Sequence, residues 1–150
     1  MKRDLNILSH FVEAEAEARP DHVVFTFESP EYGDRRVTYL DLWRNANRLA
    51  AYWDERGLGR GDRVALLLRN YPEFVYALVA SSIGGVISVP IDPRTRGEKL
   101  AFQLANSEAR LVICTADLTP NVEQVRARTK VEGLLVHRPQ QRVLRQEPRL

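Results

Sequence analysis

Residues 64–92, VALLLRNYPEFVYALVASSIGGVISVPID, constrain the fold of this chain more than any other stretch. Two short apolar runs flank a central segment that carries helical signals. Pro72 suits a first helical position, Glu73 places a negative charge in the first turn, and Gly84 with Gly85 can end the helix. The pattern predicts a strand, a helix and a second strand, which form a βαβ unit whose strands are parallel and buried on both faces.

A helix and a hairpin are predicted before this unit. Residues 6–19 carry apolar side chains at helical spacing, and Pro20 follows the end of that segment. The apolar positions on which the amphipathic helix rests are Ile7, Leu8, Phe11 and Val12. Two runs rich in β-branched and aromatic residues, 22–28 and 35–39, are separated by a polar turn and predict a hairpin with a long loop.

A second amphipathic helix follows the hairpin. Thr38 is placed to cap its N-terminus, with Asp41 three residues later as in a capping box. The apolar stripe of this helix includes Trp43 and Trp53, which we interpret as core anchors rather than as ligand platforms. The glycine-rich stretch 56–62 follows a helix and precedes a strand, the reverse of a phosphate loop, so it predicts a helix stop and a tight turn.

The alternation of helix and strand continues after the βαβ unit. Thr95 is the predicted N-cap of the next helix, with Glu98 as its capping-box partner. The remaining predicted elements are a strand at 110–114, a loop at 116–120, a weaker helix at 121–130 and a last strand at 133–137. This order predicts an α/β layered domain in which a mostly parallel sheet is flanked by helices. We place this domain at 1–137 and a basic tail, predicted to be disordered, at 138–150.

Composition fits one soluble globular domain. The chain has 150 residues, of which 44% are hydrophobic and 28% charged. No apolar run approaches the roughly 20 residues of a membrane span, and the N-terminus lacks a signal-like apolar segment, so we predict a cytoplasmic protein. The tail holds four arginines against one glutamate, but no aromatic residue, and predicts a solvated end rather than a site for nucleic acid or acidic lipid.

The residues that usually carry chemistry form no complete catalytic set. Cys114 is the one cysteine, so no intrachain disulfide can form, and its apolar neighbours predict a buried position. His10, His22 and His137 are far apart in sequence, without metal-ligand spacing, and we interpret them as structural or surface residues. No Walker loop, dinucleotide fingerprint or nucleophile elbow is present in the sequence, so no catalytic residue and no metal ligand is predicted.

The turn that follows the second apolar run of the βαβ unit is the one candidate binding site. Asp92, Pro93, Arg94, Thr95 and Arg96 lie there, between a predicted strand and a predicted helix. Ligands of open parallel sheets bind beyond the carboxyl ends of strands, and a helix N-terminus favours anions. The alternative is an exposed loop with a helix cap, and the residues alone leave both open.

Three stretches resemble the AMP-forming adenylating enzymes, the family of acyl-CoA synthetases, peptide-synthetase adenylation domains and luciferases. They are VTYLDL at 37–42, the segment from GRGDRV to VPIDP at 59–93, and RLVICTA at 110–116. Their order and spacing match the family over about residues 8–136. Within the family the chain is most similar to acyl-CoA ligases of the carnitine- or crotonobetaine-CoA ligase kind.

The resemblance implies the first subdomain of an enzyme that uses ATP, Mg²⁺ and coenzyme A to convert a carboxylic acid to an acyl-adenylate and then to an acyl-CoA. It also implies that the phosphate loop, the nucleotide-binding motifs and the catalytic lysine lie downstream, so the chain carries over no catalytic residue and is expected to be inactive alone. In some relatives coenzyme A lies near the matching turn, which makes Asp92, Pro93, Arg94 and Thr95 the candidate cofactor-binding residues. The implied partners are a small-molecule carboxylate and coenzyme A, with no nucleic acid and no membrane span.

Other roles remain open on the sequence alone. Residues 137–150 do not resemble the corresponding segment of these enzymes, so the chain is expected to be either a truncated product or a short protein with its own tail. A sheet without its neighbouring layer should leave apolar surface uncovered, which favours a non-catalytic α/β module that self-associates or docks on a partner chain. A third hypothesis is half of a split ligase that is completed by another chain.

Overall fold

The computed structural model describes residues 3–31 and 33–139. The helices are α1 (Leu8–Ala18), α2 (Tyr39–Glu55), α3 (Pro72–Gly84), α4 (Gly97–Ser107) and α5 (Thr119–Arg126), with a 3₁₀ turn at Ala116–Leu118. The strands are β1 (Val23–Phe27), β2 (Arg35–Thr38), β3 (Arg63–Leu67), β4 (Ile87–Pro90), β5 (Leu111–Thr115) and β6 (Gly133–His137). Most of the predicted basic tail, residues 140–150, lies outside the described residues.

A parallel sheet with the strand order β4-β3-β5-β6 forms the centre of the molecule. In β3, Val64 lies opposite Ser88 of β4 on one side and opposite Leu111 of β5 on the other. Helices connect the successive strands, as right-handed crossovers between parallel strands require. The predicted α/β domain with a mostly parallel sheet is therefore confirmed, and β1 and β2 form the predicted antiparallel hairpin as a separate pair.

The βαβ unit is confirmed in β3, α3 and β4. Of its two strands, β3 is buried on both faces and β4 is not. Pro72 is the first residue of α3, and Gly85 adopts the left-handed conformation that ends this helix. The expectation of two fully buried strands was wrong for β4, whose Ile87 is 47% exposed. The physical reason is strand order, because β4 lies at an edge of the sheet and has a neighbour on one side only.

Alternate residues of the strands face two helical layers. On one face α1, α2 and α3 cover Val64, Leu66 and Ile113, and on the other α4 and α5 cover the intervening residues. Trp53 is 1% exposed in the first layer, and Trp43 packs at the margin of the same cluster, which agrees with their interpretation as core residues. The second layer consists of Ala65, Leu67, Leu100, Leu104, Val112, Cys114, Leu118, Val122 and their neighbours. The burial predicted for Cys114 is confirmed.

The N-terminal helix forms as predicted, but its buried face was predicted wrongly. Val12 is buried together with the small residues Ser9 and Ala16, whereas Ile7, Leu8 and Phe11 are exposed. The backbone N–H of Ser9 donates to the Ser82 Oγ of α3 at 3.0 Å. This contact holds the face of α1 that carries the small residues against α3. Apolar periodicity alone does not predict such a contact.

Local signals at the helix ends were predicted with mixed success. The capping box of α2 is confirmed, because Thr38 Oγ1 accepts from the Asp41 N–H at 3.1 Å and Asp41 Oδ2 accepts from the Thr38 N–H at 3.2 Å. The glycine-rich stretch joins α2 to β3, as predicted for a helix stop and turn. The predicted loop at 116–120 instead contains the 3₁₀ turn and the start of α5, and α5 ends at Arg126 rather than near residue 130.

Candidate functional site at the carboxyl edge of the sheet

The turn after β4 is held by an ion pair between its own side chains. Asp92 Oδ2 accepts from Arg94 Nη2 at 2.7 Å, and Asp92 Oδ1 accepts from the Arg94 backbone N–H at 2.8 Å. These bonds lower the pKa of the Asp92 carboxyl to about 2. The Arg94 side chain is 88% exposed and can contact a ligand, but its charge is already paired with that of Asp92.

The residues after this pair do not form the predicted helix cap. Thr95 is buried, and its N–H donates to the Asp92 carbonyl at 2.9 Å, which closes a turn. The helix α4 starts at Gly97, with Arg96 at the N-cap and no side-chain cap bond, so the predicted capping box of Thr95 and Glu98 was wrong. The Arg96 guanidinium donates instead to the Pro93 and Thr95 carbonyls. Thr95 and Arg96 therefore help to shape the turn.

A hollow of about 500 Å³ adjoins this turn. It lies between the loop of the hairpin, the loop from β3 to α3, and Pro93. Its lining residues are Phe27, Ser29, Pro30, Glu31, Arg69, Asn70, Tyr71 and Pro93. Of the predicted turn residues, only Pro93 lines it. A second hollow, of about 540 Å³, continues past Arg69 to Asp117 and Pro139.

The sequence interpretation missed the polar residues that follow the other strands. Arg69 follows β3 and Asp117 follows β5, and Arg69 Nη2 lies 3.4 Å from Asp117 Oδ2. Both follow the carboxyl ends of parallel strands, so the rule that directed attention to Asp92 could have found them as well. The structure brings Pro93, Arg69 and Asp117 to one edge of the sheet.

A second polar cluster joins the hairpin, α3 and β6. Arg35 Nη1 donates to Glu73 Oε1 at 3.1 Å, and Arg35 Nη2 donates to the Tyr76 hydroxyl at 2.9 Å. His137 Nε2 lies 3.7 Å from Glu73 Oε2, and its ring is 4.9 Å from that of Tyr71. Burial lowers the pKa of His137, Glu73 opposes this effect, and Arg35 adds to it. Sequence reasoning did not group these residues because they lie on separate elements.

This cluster adjoins an apolar groove of about 390 Å³ on the α2 and α3 face of the sheet. Side chains of α2, α3, β5 and β6 line it, among them Leu49, Tyr52, Ile113 and Leu135. We call this surface the β6 groove.

Two kinds of reactive centre, an activated thiol and a metal cluster, are not found among the described residues. Cys114 is buried, and burial raises the pKa of its thiol, which disfavours the thiolate form that a nucleophile or metal ligand requires. Across residues 3–31 and 33–139, no group of three or more His, Cys, Asp or Glu side chains is placed to hold a metal ion. We therefore assign Mg²⁺ no ligand among these residues. No helix in this part of the chain has the length and apolar character needed to cross a bilayer.

Comparison with known proteins identifies the family of this chain. The family model described as AMP-binding enzyme matches residues 12–148. A crotonobetaine/carnitine–CoA ligase of Salmonella paratyphi A is 37% identical over 111 residues, which are 74% of this chain and 22% of that protein. The medium/long-chain-fatty-acid–CoA ligase FadD6 of Mycobacterium tuberculosis is 38% identical over 104 residues, 69% of this chain and 17% of that protein.

Solved structures give the same result for the fold. A fatty acyl CoA synthetase of Mycobacterium tuberculosis matches 91% of this chain and 27% of its own chain, with a TM-score of 0.76 and 26% identity. This chain thus spans about a fifth of the length of the curated relatives that it matches. The family match covers most of its sequence, and the chain belongs to the AMP-binding enzyme family.

Proposed function

We propose that this chain is the N-terminal α/β part of an ATP-dependent, AMP-forming carboxylic acid–CoA ligase. The observation that carries the proposal is the family match over residues 12–148, together with relatives that are acyl-CoA ligases. In such a ligase the substrate carboxylate attacks the α-phosphorus of ATP and releases pyrophosphate. The thiol of coenzyme A then attacks the acyl-adenylate carbonyl and releases AMP.

We propose further that the 150-residue chain does not catalyse adenylation alone. Its sequence has no Ser/Thr/Gly-rich phosphate loop ending in Pro-Lys. Two cationic side chains at the carboxyl edge already have anionic partners, Arg94 with Asp92 and Arg69 with Asp117. Within this chain we therefore assign no residue to ATP and no catalytic role.

The turn at Asp92, Pro93, Arg94 and Thr95 is our proposed coenzyme A vicinity. Its position beyond the carboxyl end of β4 and before α4 supports this role. Arg94 is the residue available for phosphate, since Thr95 is buried and Asp92 is negatively charged. Binding there requires Arg94 to exchange Asp92 for the ligand. A cytoplasmic location also stays a prediction.

The test is ATP–pyrophosphate exchange with the purified chain. The acid panel should include crotonobetaine, carnitine and fatty acids of medium and long chain length, because the similar ligases act on these different classes. We expect exchange at background with every acid. Exchange above background would contradict the proposed inactivity. If a second chain that carries the missing motifs gave exchange on mixing with this chain, that result would support the split-ligase hypothesis.

A non-catalytic interaction module is the second candidate function. The observation that favours it is the β6 groove, whose apolar lining is open at one side of the sheet. Such a module would give no exchange under any condition but would associate with a partner.

A further inference from the structure

Arg96 uses its guanidinium differently from the other arginine of the turn after β4. Arg94 pairs with the Asp92 carboxylate. Arg96 is also exposed, yet its Nη1 donates to the Pro93 carbonyl at 2.5 Å and to the Thr95 carbonyl at 2.8 Å. Within residues 3–31 and 33–139, the structure gives the Arg96 charge no carboxylate partner. The bonding of Arg96 is therefore directed at the backbone of the turn.

The position of Arg96 at the start of α4 does not account for this arrangement. Arg96 is the N-cap of α4, and the helix dipole opposes a cation at a helix N-terminus. Its side chain makes no capping bond to the helix, whereas a side-chain oxygen usually accepts from the free N–H groups at that end. We therefore attribute the placement of the guanidinium to the turn that precedes α4 and not to the helix.

The guanidinium joins two carbonyl groups that repel each other. The Pro93 and Thr95 oxygens both lie within hydrogen-bond distance of one nitrogen atom, so their negative ends point at the same region. A cationic donor between them replaces this repulsion with two charge-assisted hydrogen bonds. Thr95 is buried and closes the turn with its own N–H, so one of the two carbonyls belongs to a fixed residue. Arg96 therefore fixes the other carbonyl, that of Pro93, relative to it.

The peptide group between Pro93 and Arg94 links Arg96 to Asp92. The carbonyl of this peptide group accepts from Arg96, and its N–H donates to Asp92 Oδ1 at 2.8 Å. Because a trans peptide group is planar, its carbonyl and its N–H point in opposite directions. A guanidinium that fixes the carbonyl therefore also directs the N–H at the Asp92 carboxylate.

The same carboxylate holds the Arg94 side chain. Asp92 Oδ2 accepts from Arg94 Nη2 at 2.7 Å. The Arg94 side chain is 88% exposed, so without this bond it would be free to adopt many rotamers. The orientation of Asp92 thus determines where the Arg94 guanidinium lies.

We propose that Arg96 is a positioning residue for Arg94. Arg96 holds the peptide group before Arg94, this group orients the Asp92 carboxylate, and the carboxylate keeps the Arg94 guanidinium beside the turn. An arginine that is already localised loses less conformational freedom when a phosphate group replaces Asp92 as its partner. The consequence for phosphate rests on the proposed coenzyme A vicinity, whereas the role of Arg96 in the turn does not.

The first experiment measures the pKa of Asp92 by carbon NMR in the 150-residue chain without any ligand. Arg96→Ala should raise this pKa by about one pH unit, because both the N–H bond and the Arg94 side-chain bonds to the carboxylate weaken. Lys99→Ala is the matched control, since Lys99 is also exposed and lowers the pKa of Asp92 through its charge. Removing this exposed charge should raise the pKa by no more than about 0.3 pH units.

Hydrogen exchange gives a local measurement at neutral pH. The Thr95 N–H donates to the Asp92 carbonyl and closes the turn. Arg96→Ala should speed exchange of the Arg94 and Thr95 amides about tenfold and leave the amides of β3 unchanged, because the loss is confined to the turn. Lys99→Ala should leave both sets unchanged. Circular dichroism checks that both variants keep the fold.

Calorimetry with coenzyme A tests the consequence for phosphate. Arg96→Ala and Lys99→Ala each remove one positive charge, so a larger loss of affinity with Arg96→Ala, which we expect to be about threefold, measures positioning. A parent chain that does not bind coenzyme A would contradict the proposed vicinity, while the pKa and exchange measurements still decide the role of Arg96 in the turn.

Two outcomes would overturn that role. One is an Asp92 pKa that rises no more in Arg96→Ala than in Lys99→Ala, since the bonds of Arg96 to the carbonyls would then not act on the carboxylate. The other is faster exchange throughout β3 in Arg96→Ala, which would show a general loss of stability in place of a local change in the turn.

Discussion

Two adjacent glycines at the end of α3 should respond in opposite directions to the same substitution. Gly85 has a φ of +66°, where an alanine side chain costs about 1–2 kcal/mol. A Cβ there would also lie 3.3 Å from Arg60 Cγ and 3.4 Å from Arg60 Cα, and the latter atom is backbone. The segment cannot easily shift away, because the Gly85 carbonyl accepts from the Gly61 N–H at 3.0 Å. We expect Gly85→Ala to lower the free energy of unfolding by about 1–2 kcal/mol.

Gly84→Ala is the matched control. Gly84 is the last helical residue of α3, and a Cβ there meets only Val86 Cγ2 at 3.7 Å, an ordinary contact. Replacing a helical glycine with alanine should stabilise the chain by roughly 0.5 kcal/mol, at the lower end of the usual range because the position is terminal. The two variants should therefore differ by about 2 kcal/mol, or by about 4–8 °C in Tm for a chain of this size.

Urea denaturation followed by circular dichroism measures both variants against the parent chain at one pH. The slope of the unfolding free energy with urea should be the same for all three proteins, so that the midpoint reports stability. Equal stabilities for Gly84→Ala and Gly85→Ala would refute the reasoning. That result would mean that the left-handed conformation at Gly85 and its contact with Arg60 do not hold the junction of α3 and β4.

Three further predictions concern the α2 cap, the turn after β4 and His137 in the polar cluster of the hairpin, α3 and β6. Thr38→Ala should lower the free energy of unfolding by about 1 kcal/mol, because it removes the acceptor of the Asp41 N–H. Thr38→Ser should keep most of that stability, and urea denaturation measures both variants. In a titration followed by carbon NMR, the Asp92 carboxyl should have a pKa of about 2 in the parent chain and a higher pKa in Arg94→Ala, which removes the side-chain bonds but keeps the backbone N–H that also lowers this pKa. Asp92→Asn, which frees Arg94, should strengthen coenzyme A binding in calorimetry, and Arg94→Ala should weaken it. Burial lowers the pKa of His137 in the folded chain below its ordinary value of 6.5. As the pH falls through 6.5, the unfolded chain therefore binds more protons than the folded chain does. The stability contributed by the neutral ring is lost in that range. His137→Gln should therefore lose less stability than the parent between pH 7.5 and pH 5.5, and an equal loss would contradict the assigned direction.

The parts of the fold that could be predicted are those that local chemistry determines. Pro72 and Gly85 mark the ends of α3 because a missing N–H and a left-handed φ have local consequences, and Thr38 with Asp41 caps α2 for the same reason. Thr95 carries an equally good local signal, yet it does not cap α4. Its N–H is used by the turn that begins at Asp92, and its side chain is buried. The local sequence alone therefore does not predict whether a capping motif forms when its residues also make tertiary contacts.

Strand order was the main feature that the sequence could not supply. The apolar runs that contain β4 and β3 both predict strands, but β4 lies at an edge and β3 lies between two strands. Periodicity reports which face of a strand is apolar and does not report how many neighbours the strand has. The cluster of Arg35, Glu73 and His137 could not be predicted either, because three separate elements bring these residues together.

The distribution of charge at the carboxyl edge bears on the proposed function. Asp92 pairs with Arg94, Asp117 with Arg69, and Glu73 with Arg35, so the charges of these three arginines are already matched within the chain. A site that stabilises developing charge on a phosphate needs donors aimed at the ligand, and pairing these cations internally reduces that capacity. Freeing an arginine requires a competing anion or a change at its partner, which is why Asp92→Asn is informative. The arrangement is consistent with the proposed role of these residues in shaping one wall of a binding site.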